Sequence, residues 1–245
     1  MRRKTILLAL LLCFACVMTN LMAFAENSEE TTRNATDAAA LTEQAKALMD
    51  AEDYEAAVSI LQEAAEMGDA TAQLELGNCY FNGLGIEKDE QESAKYYQLS
   101  AEQGNLLARY NLALSYLNGE GVEQDAAKAE ELLKACSDQG DAESQYLLGS
   151  CYLFGDELEQ DYEEAVKYLQ LAADQENALS YYCLGVCYEN GWGVEQDYAK
   201  AADCYKPAAD QGLDCAQYNL GLLYQLGNGV EQDYEKAFEY YKPFC

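Results

Sequence analysis

"GWGVEQDYAKAADCYKPAADQG", from Gly191 to Gly212, decides the fold of this chain. A near copy, "GEGVEQDAAKAEELLKACSDQG", runs from Gly119 to Gly140. Working outward from this pair, every landmark returns at the same interval. Leu76, Leu112, Leu148, Leu184 and Leu220 are each 36 residues apart. Tyr80, Tyr116, Tyr152, Tyr188 and Tyr224 keep that step, as do Gly83, Gly119, Gly155, Gly191 and Gly227. Asp89, Asp125, Asp161, Asp197 and Asp233 follow, and Asp53 extends the series one unit upstream. A fixed period without insertions is the signature of a stacked repeat architecture.

One repeat, "NLLARYNLALSYLNGEGVEQDAAKAEELLKACSDQG" (Asn105 to Gly140), predicts two helices. Ala108, Leu112, Ala113 and Tyr116 share one helical face. Gly119 and Gly121 end that helix, because glycine tolerates the left-handed backbone a helix stop needs. Val122 turns back toward the core. Asp125 is placed to cap the second helix through its carboxylate. Asp89 with Glu92, and Asp161 with Glu164, have the spacing of a capping box. Ala129, Leu133 and Cys136 form the inner face of the second helix. Gly77, Ala113, Gly149, Gly185 and Gly221 let the two helices approach closely. A single pair cannot bury its apolar face alone, so neighbouring pairs must stack. In the third copy, Asp156-Glu157-Leu158 replaces the usual x-Gly-Val/Ile, which predicts a tighter or differently bent loop.

Ala216, Leu220, Gly221, Tyr224, Gly227, Gly229, Val230, Asp233, Lys236 and Ala237 carry a resemblance. The pattern is similar to that of the Sel-one-like repeat family, relatives of the tetratricopeptide repeats, and it covers about residues 70–245 in five copies (70–105, 106–141, 142–177, 178–213, 214–245). Residues 38–69 look like an ordinary tetratricopeptide unit acting as an N-terminal cap. The resemblance implies an all-α fold, a right-handed α/α superhelical solenoid of helix–loop–helix repeats. It also implies protein binding. Secreted, cysteine-rich members carry a disulfide between the late second helix and the next repeat. Cys136 matches its first half, but Ser144 stands at the partner position, so that bridge is not expected here.

The chain opens with Arg2, Arg3 and Lys4, an apolar run from Ile6 to Met18, and Ala23-Phe24-Ala25. That is the layout of a signal peptide over 1–25, cleaved near Ala25 for export; the alternative is a retained anchor. Residues 26–37 read as a disordered acidic leader. The formal charge is −29, and losing the signal makes the mature chain three units more negative. Such a surface repels nucleic acid and anionic membrane and favours, at most, a basic partner.

The chain has no histidine, which removes Ser-His and Cys-His catalysis and the commonest zinc ligand. Gly191-Trp192-Gly193 follows a helix rather than a strand, so it is loop punctuation and not a nucleotide motif. No catalytic residue, metal or cofactor is expected. Cys151, Cys183 and Cys187 are placed to cluster, either as zinc ligands or, more simply, as small core residues or a disulfide.

The expected function is therefore that of an exported scaffold, not an enzyme, holding a peptide or protein. The alternative suggested by the resemblance is a binder of cell-wall fragments or β-lactams with weak hydrolase activity. By tetratricopeptide analogy the binding face takes first-helix residues that vary between copies: Asn78, Phe81, Asn82, Leu114, Leu117, Asn118, Ser150, Leu153, Phe154, Val186, Asn190, Leu222 and Leu226, with Glu189 and Gln225. Trp192, the only tryptophan, is a candidate interface anchor. Phe238, Tyr240, Tyr241, Phe244 and Cys245 form an aromatic-rich end expected to support a homodimer.

Overall fold

The structure, a computed structural model, describes residues 34–242. Among these residues there are twelve helices and no strands. They fall into two compact units, one within Met1–Asn105 and one within Leu106–Cys245. The first holds α1 (34–50), α2 (Tyr54–Glu66), α3 (Ala70–Asn82) and α4 (Glu90–Glu102). The second holds α5 (Leu106–Asn118), α6 (Ala126–Ser137), α7 (Ala142–Phe154), α8 (Tyr162–Ala173), α9 (Ala178–Asn190), α10 (Tyr198–Asp210), α11 (Asp214–Leu226) and α12 (Tyr234–Tyr241). The proposed signal peptide and most of the acidic leader lie outside the described residues, as do Phe244 and Cys245.

The recurring Glu-Gln-Asp of the loops has a local reason. The glutamine donates to an orphan carbonyl near the end of the first helix: Gln124 to Leu117 O at 2.6 Å, Gln160 to Leu153 O at 3.0 Å, Gln196 to Glu189 O at 2.7 Å. The aspartate caps the second helix; Asp161 accepts from the N–H groups of Glu163 and Glu164 at 3.0 and 3.1 Å. Its own N–H donates to the carbonyl of the repeat tyrosine, as in Asp161 to Tyr152 at 3.0 Å. Of the capping box expected at Asp89–Glu92 and Asp161–Glu164, the aspartate's bond to the glutamate N–H is made, and only the return bond from the glutamate side chain is preempted. The glutamates turn instead to Lys95 and Lys167, each at 2.8 Å.

Between the helices of a pair the small residues do what their size implies. A Cβ added to Gly77 would stand 2.7 Å from the ring of Tyr97, and one on Gly149 2.8 Å from Leu169. Tyr80 stacks on Tyr96 at 5.7 Å and Tyr152 on Tyr168 at 6.0 Å between ring centroids. Within the larger unit the loops of the fourth and fifth copies also rest on the start of the preceding second helix. A Cβ on Gly193 would meet the Tyr162 carbonyl oxygen at 2.1 Å. At the matching place in the third copy stands Glu157, whose φ is not positive, unlike the +69° of Gly193. The loop bends differently, as the sequence predicts, and Leu158 is buried in the core where its counterpart Val194 is only half-buried.

Candidate protein-binding face

In the larger unit, α5, α7, α9 and α11 present Leu114, Ser150, Val186 and Leu222 at one register, all half-buried. Asn118 and Asn190 are exposed, as are Phe154 and Leu226, at 55% and 60%. In the smaller unit, Asn78 and Phe81 are half-buried and Asn82 is exposed.

Two expected face residues are corrected by burial. Leu117 and Leu153 are only 4% and 2% exposed and belong to the core cluster that also holds Leu133 and Leu169. Their counterparts Glu189 and Gln225 face tyrosines instead: Tyr205 Oη donates to Glu189 at 2.6 Å and Tyr241 Oη to Gln225 at 2.9 Å. Leu117 thus goes with Leu133, Leu153 with Leu169, Glu189 with Tyr205, and Gln225 with Tyr241. The variation at this register follows the chain's own second helix rather than a partner. Pairs sixteen residues apart that change together carry that signal in the sequence. Asn78 is engaged in a similar way, accepting from Tyr97 Oη at 2.9 Å.

Trp192 is half-buried and stacks on Tyr162 of the preceding pair, with centroids 5.5 Å apart and planes 9° from parallel. At the C-terminal end, Tyr240 stacks on Tyr224 at 5.9 Å. Tyr241 lies over Gly221, whose added Cβ would be 2.6 Å from the ring. Both tyrosines are turned inward, a correction to their expected place on a free surface. Phe238 remains 61% exposed.

The titratable groups of this unit serve the fold. Burial pushes the thiols of Cys151, Cys183 and Cys187 up to about 12. Thiols so raised stay protonated at neutral pH and are poor nucleophiles. All three lie in the core cluster, and the cysteines among the described residues are free thiols, Cys136 included. Burial, then the bond to Glu189, drives Tyr205 far above the usual phenol range. Between α6 and α7, Tyr152 Oη donates to Glu130 at 2.5 Å, and Lys134 pairs with the same oxygen. The Lys134 bond first, then Tyr152, holds Glu130 below the usual carboxylate range.

The sequence matches the Sel1 repeat profile over residues 49–69, 70–105, 106–141, 142–177, 178–213 and 216–245. The chain belongs to the Sel1 repeat family. Members of this family generally serve as protein–protein interaction scaffolds. The Sel1 repeat protein from Oxalobacter formigenes is similar in structure, with 30% identity, a TM-score of 0.75 and 82% of each chain covered. So is c5321, a protective antigen present in uropathogenic Escherichia coli strains with the same repeat fold: 38% identity and a TM-score of 0.73 over 76% of this chain. This chain spans 40% of that antigen's length. An immunity protein from Pseudomonas aeruginosa, at 24% identity and a TM-score of 0.51, shares the fold. No curated protein matches the sequence. The expected fold class, an all-α solenoid of helix–loop–helix repeats, is the one found. The first matched segment, 49–69, falls inside the stretch that resembles a tetratricopeptide cap, and Asp53 caps α2 there as the later aspartates cap theirs. Among the described residues no helix is long and apolar enough to cross a membrane.

Proposed function

We propose that this Sel1 repeat protein is an exported scaffold that holds a peptide or protein partner on the first-helix face of its repeats. One observation carries the reading. Four consecutive first helices set Leu114, Ser150, Val186 and Leu222 at a single register, half-buried, above a core that is already filled. Leu114 and Val186 rest one side on the core clusters, and the outer side of the row is left to suit a partner. The negative charge of the chain favours a basic partner over nucleic acid or anionic lipid. Peptide selection against the purified chain tests the reading. Peptides should be retained by the natural sequence and lost by Leu114→Asp and Leu222→Asp, with circular dichroism showing each variant to be folded at the temperature of the assay. Failure to select any peptide refutes it.

Self-association through the C-terminal helix rests on Phe238 among the described residues, with Phe244 and Cys245 beyond them. Light scattering on the natural chain and on Phe238→Asp decides it, with a single monomeric mass for both refuting a homodimer.

A further inference from the structure

We infer that the loop edge of the Leu106–Cys245 unit is a docking surface for a lysine- or arginine-rich segment that carries an aromatic or aliphatic residue. The inference rests on the scaffold reading above and extends its contact from the first helices onto the loops that follow them.

The edge is continuous. Gly193 lies against the backbone of Tyr162, Gly229 lies against Tyr198 in the same way, and Trp192 stacks flat on Tyr162. Loops 155–161, 191–197 and 227–233 therefore follow one another along one border of the unit.

This border has apolar residues the fold does not require. The last position of each first helix is Asn82, Asn118, Phe154, Asn190 and Leu226 in turn. Where it is asparagine, the amide can close on its own helix: Asn82 donates to Asn78 O at 2.9 Å and Asn190 to Val186 O at 2.8 Å. Phe154 and Leu226 abandon that bond and stand 55% and 60% exposed. Single exposed apolar side chains are common on protein surfaces; what singles these two out is that each replaces an asparagine of the other copies and stands close in sequence to exposed carboxylates.

The carboxylates around them outnumber the lysines. The lysines of this border, Lys167, Lys200 and Lys236, are drawn to carboxylates one turn away, at 2.8, 4.0 and 3.5 Å. Each also lies over a tyrosine ring. Glu157, Glu159, Glu195 and Glu231 are exposed and have no ion-pair partner among the described residues. An apolar anchor flanked by cations complements such a border. Phosphate polymers and anionic lipid are repelled by it.

The test uses three fluorescein-labelled peptides and fluorescence anisotropy. One is lysine- and glycine-rich with a phenylalanine and a leucine. In the second those two residues are glycine. In the third the lysines are glutamate. The first should bind at least about tenfold more tightly than either of the others. Phe154→Asn with Leu226→Asn, which installs the residue of the other copies, should weaken it at least about fivefold. Glu157→Gln with Glu195→Gln and Glu231→Gln should weaken it similarly and flatten its salt dependence. Full affinity in the asparagine variant overturns the inference. So does a loss confined to the glutamine variant, which is unspecific attraction to an acidic surface. If selected peptides bind but ignore both edge variants and respond to Leu114→Asp, the edge fails and the scaffold stands. If no peptide binds, the scaffold reading itself fails.

Discussion

Gly185→Ala is the sharpest probe of how a repeat is built. The added Cβ would stand 2.4 Å from two carbons of the Tyr205 ring and 3.0 Å from a third. Tyr205 is fully buried and its hydroxyl is tied to Glu189 at 2.6 Å, so the ring cannot move aside without losing that bond. Overpacking of this kind costs about 1–3 kcal/mol. Loosening the hydrogen bond adds about 1 kcal/mol. Replacing a mid-helix glycine by alanine returns about 1 kcal/mol. The net is a loss of about 2 kcal/mol, or about 4–8 °C in melting temperature for a chain of this size. The second copy already shows the cure, since it carries Ala113, Leu117 and Leu133 at these three registers, all buried. The triple variant Gly185→Ala, Glu189→Leu, Tyr205→Leu should therefore recover all but about 1 kcal/mol of the loss. Urea titration followed by far-ultraviolet circular dichroism measures both. A Gly185→Ala protein as stable as the natural one, or a triple variant no better than the single, refutes the reasoning.

Glu176 has a φ of +64° at a register where Gly68, Gly104, Gly140 and Gly212 stand, so Glu176→Gly should stabilise by about 0.5–1 kcal/mol in a thermal melt. Asp161→Ala should cost about 1 kcal/mol through its lost cap, while Glu164→Ala should cost under about 0.5 kcal/mol, because Glu164 pairs only with exposed Lys167; equal losses would restore the capping box. Backbone N–H groups, that of Lys128 first for Asp125 and that of Lys236 first for Asp233, hold these caps below the usual 3.8. Their contribution is present above that value and is lost as pH falls through the lower folded value, which an acid titration of Asp233→Asn against the natural chain reads out. Cys151, Cys183 and Cys187, raised from 9.0 to about 12, contribute stability that is complete below pH 9 and lost as pH rises toward 12. The urea midpoint should fall between pH 8 and pH 10.5. A thiol reagent such as 5,5′-dithiobis(2-nitrobenzoate) should meet these three only in denaturant; prompt reaction in the native state would show the core to be open.

The repeats made the architecture legible because each landmark does one physical job that no neighbour can do for it. A left-handed stop asks for Gly191, a cap asks for Asp197, and a close helix approach asks for Gly185. The capping box is only half formed, for a reason of the same kind. The N–H of Asp161 is already used by the Tyr152 carbonyl, a bond that only the folded loop brings into being. The candidate face was harder. Variation between copies suggests a surface fitted to something outside the chain, yet Leu117, Leu153, Glu189 and Gln225 vary to suit Leu133, Leu169, Tyr205 and Tyr241. Reading one column at a time hides this, because the compensating residue lies on the other helix of the pair. Once these internal pairings are removed, the copy-specific residues that the fold leaves without a task are few. Phe154 and Leu226 stand where asparagine would do. Trp192 also differs from its counterparts, but Tyr162 beneath it accounts for part of its face. Specificity for a partner has to reside in side chains that differ between copies and are not spoken for internally. In the Leu106–Cys245 unit that requirement adds the loop edge to the first-helix row, whose own four residues are three aliphatic side chains and one serine.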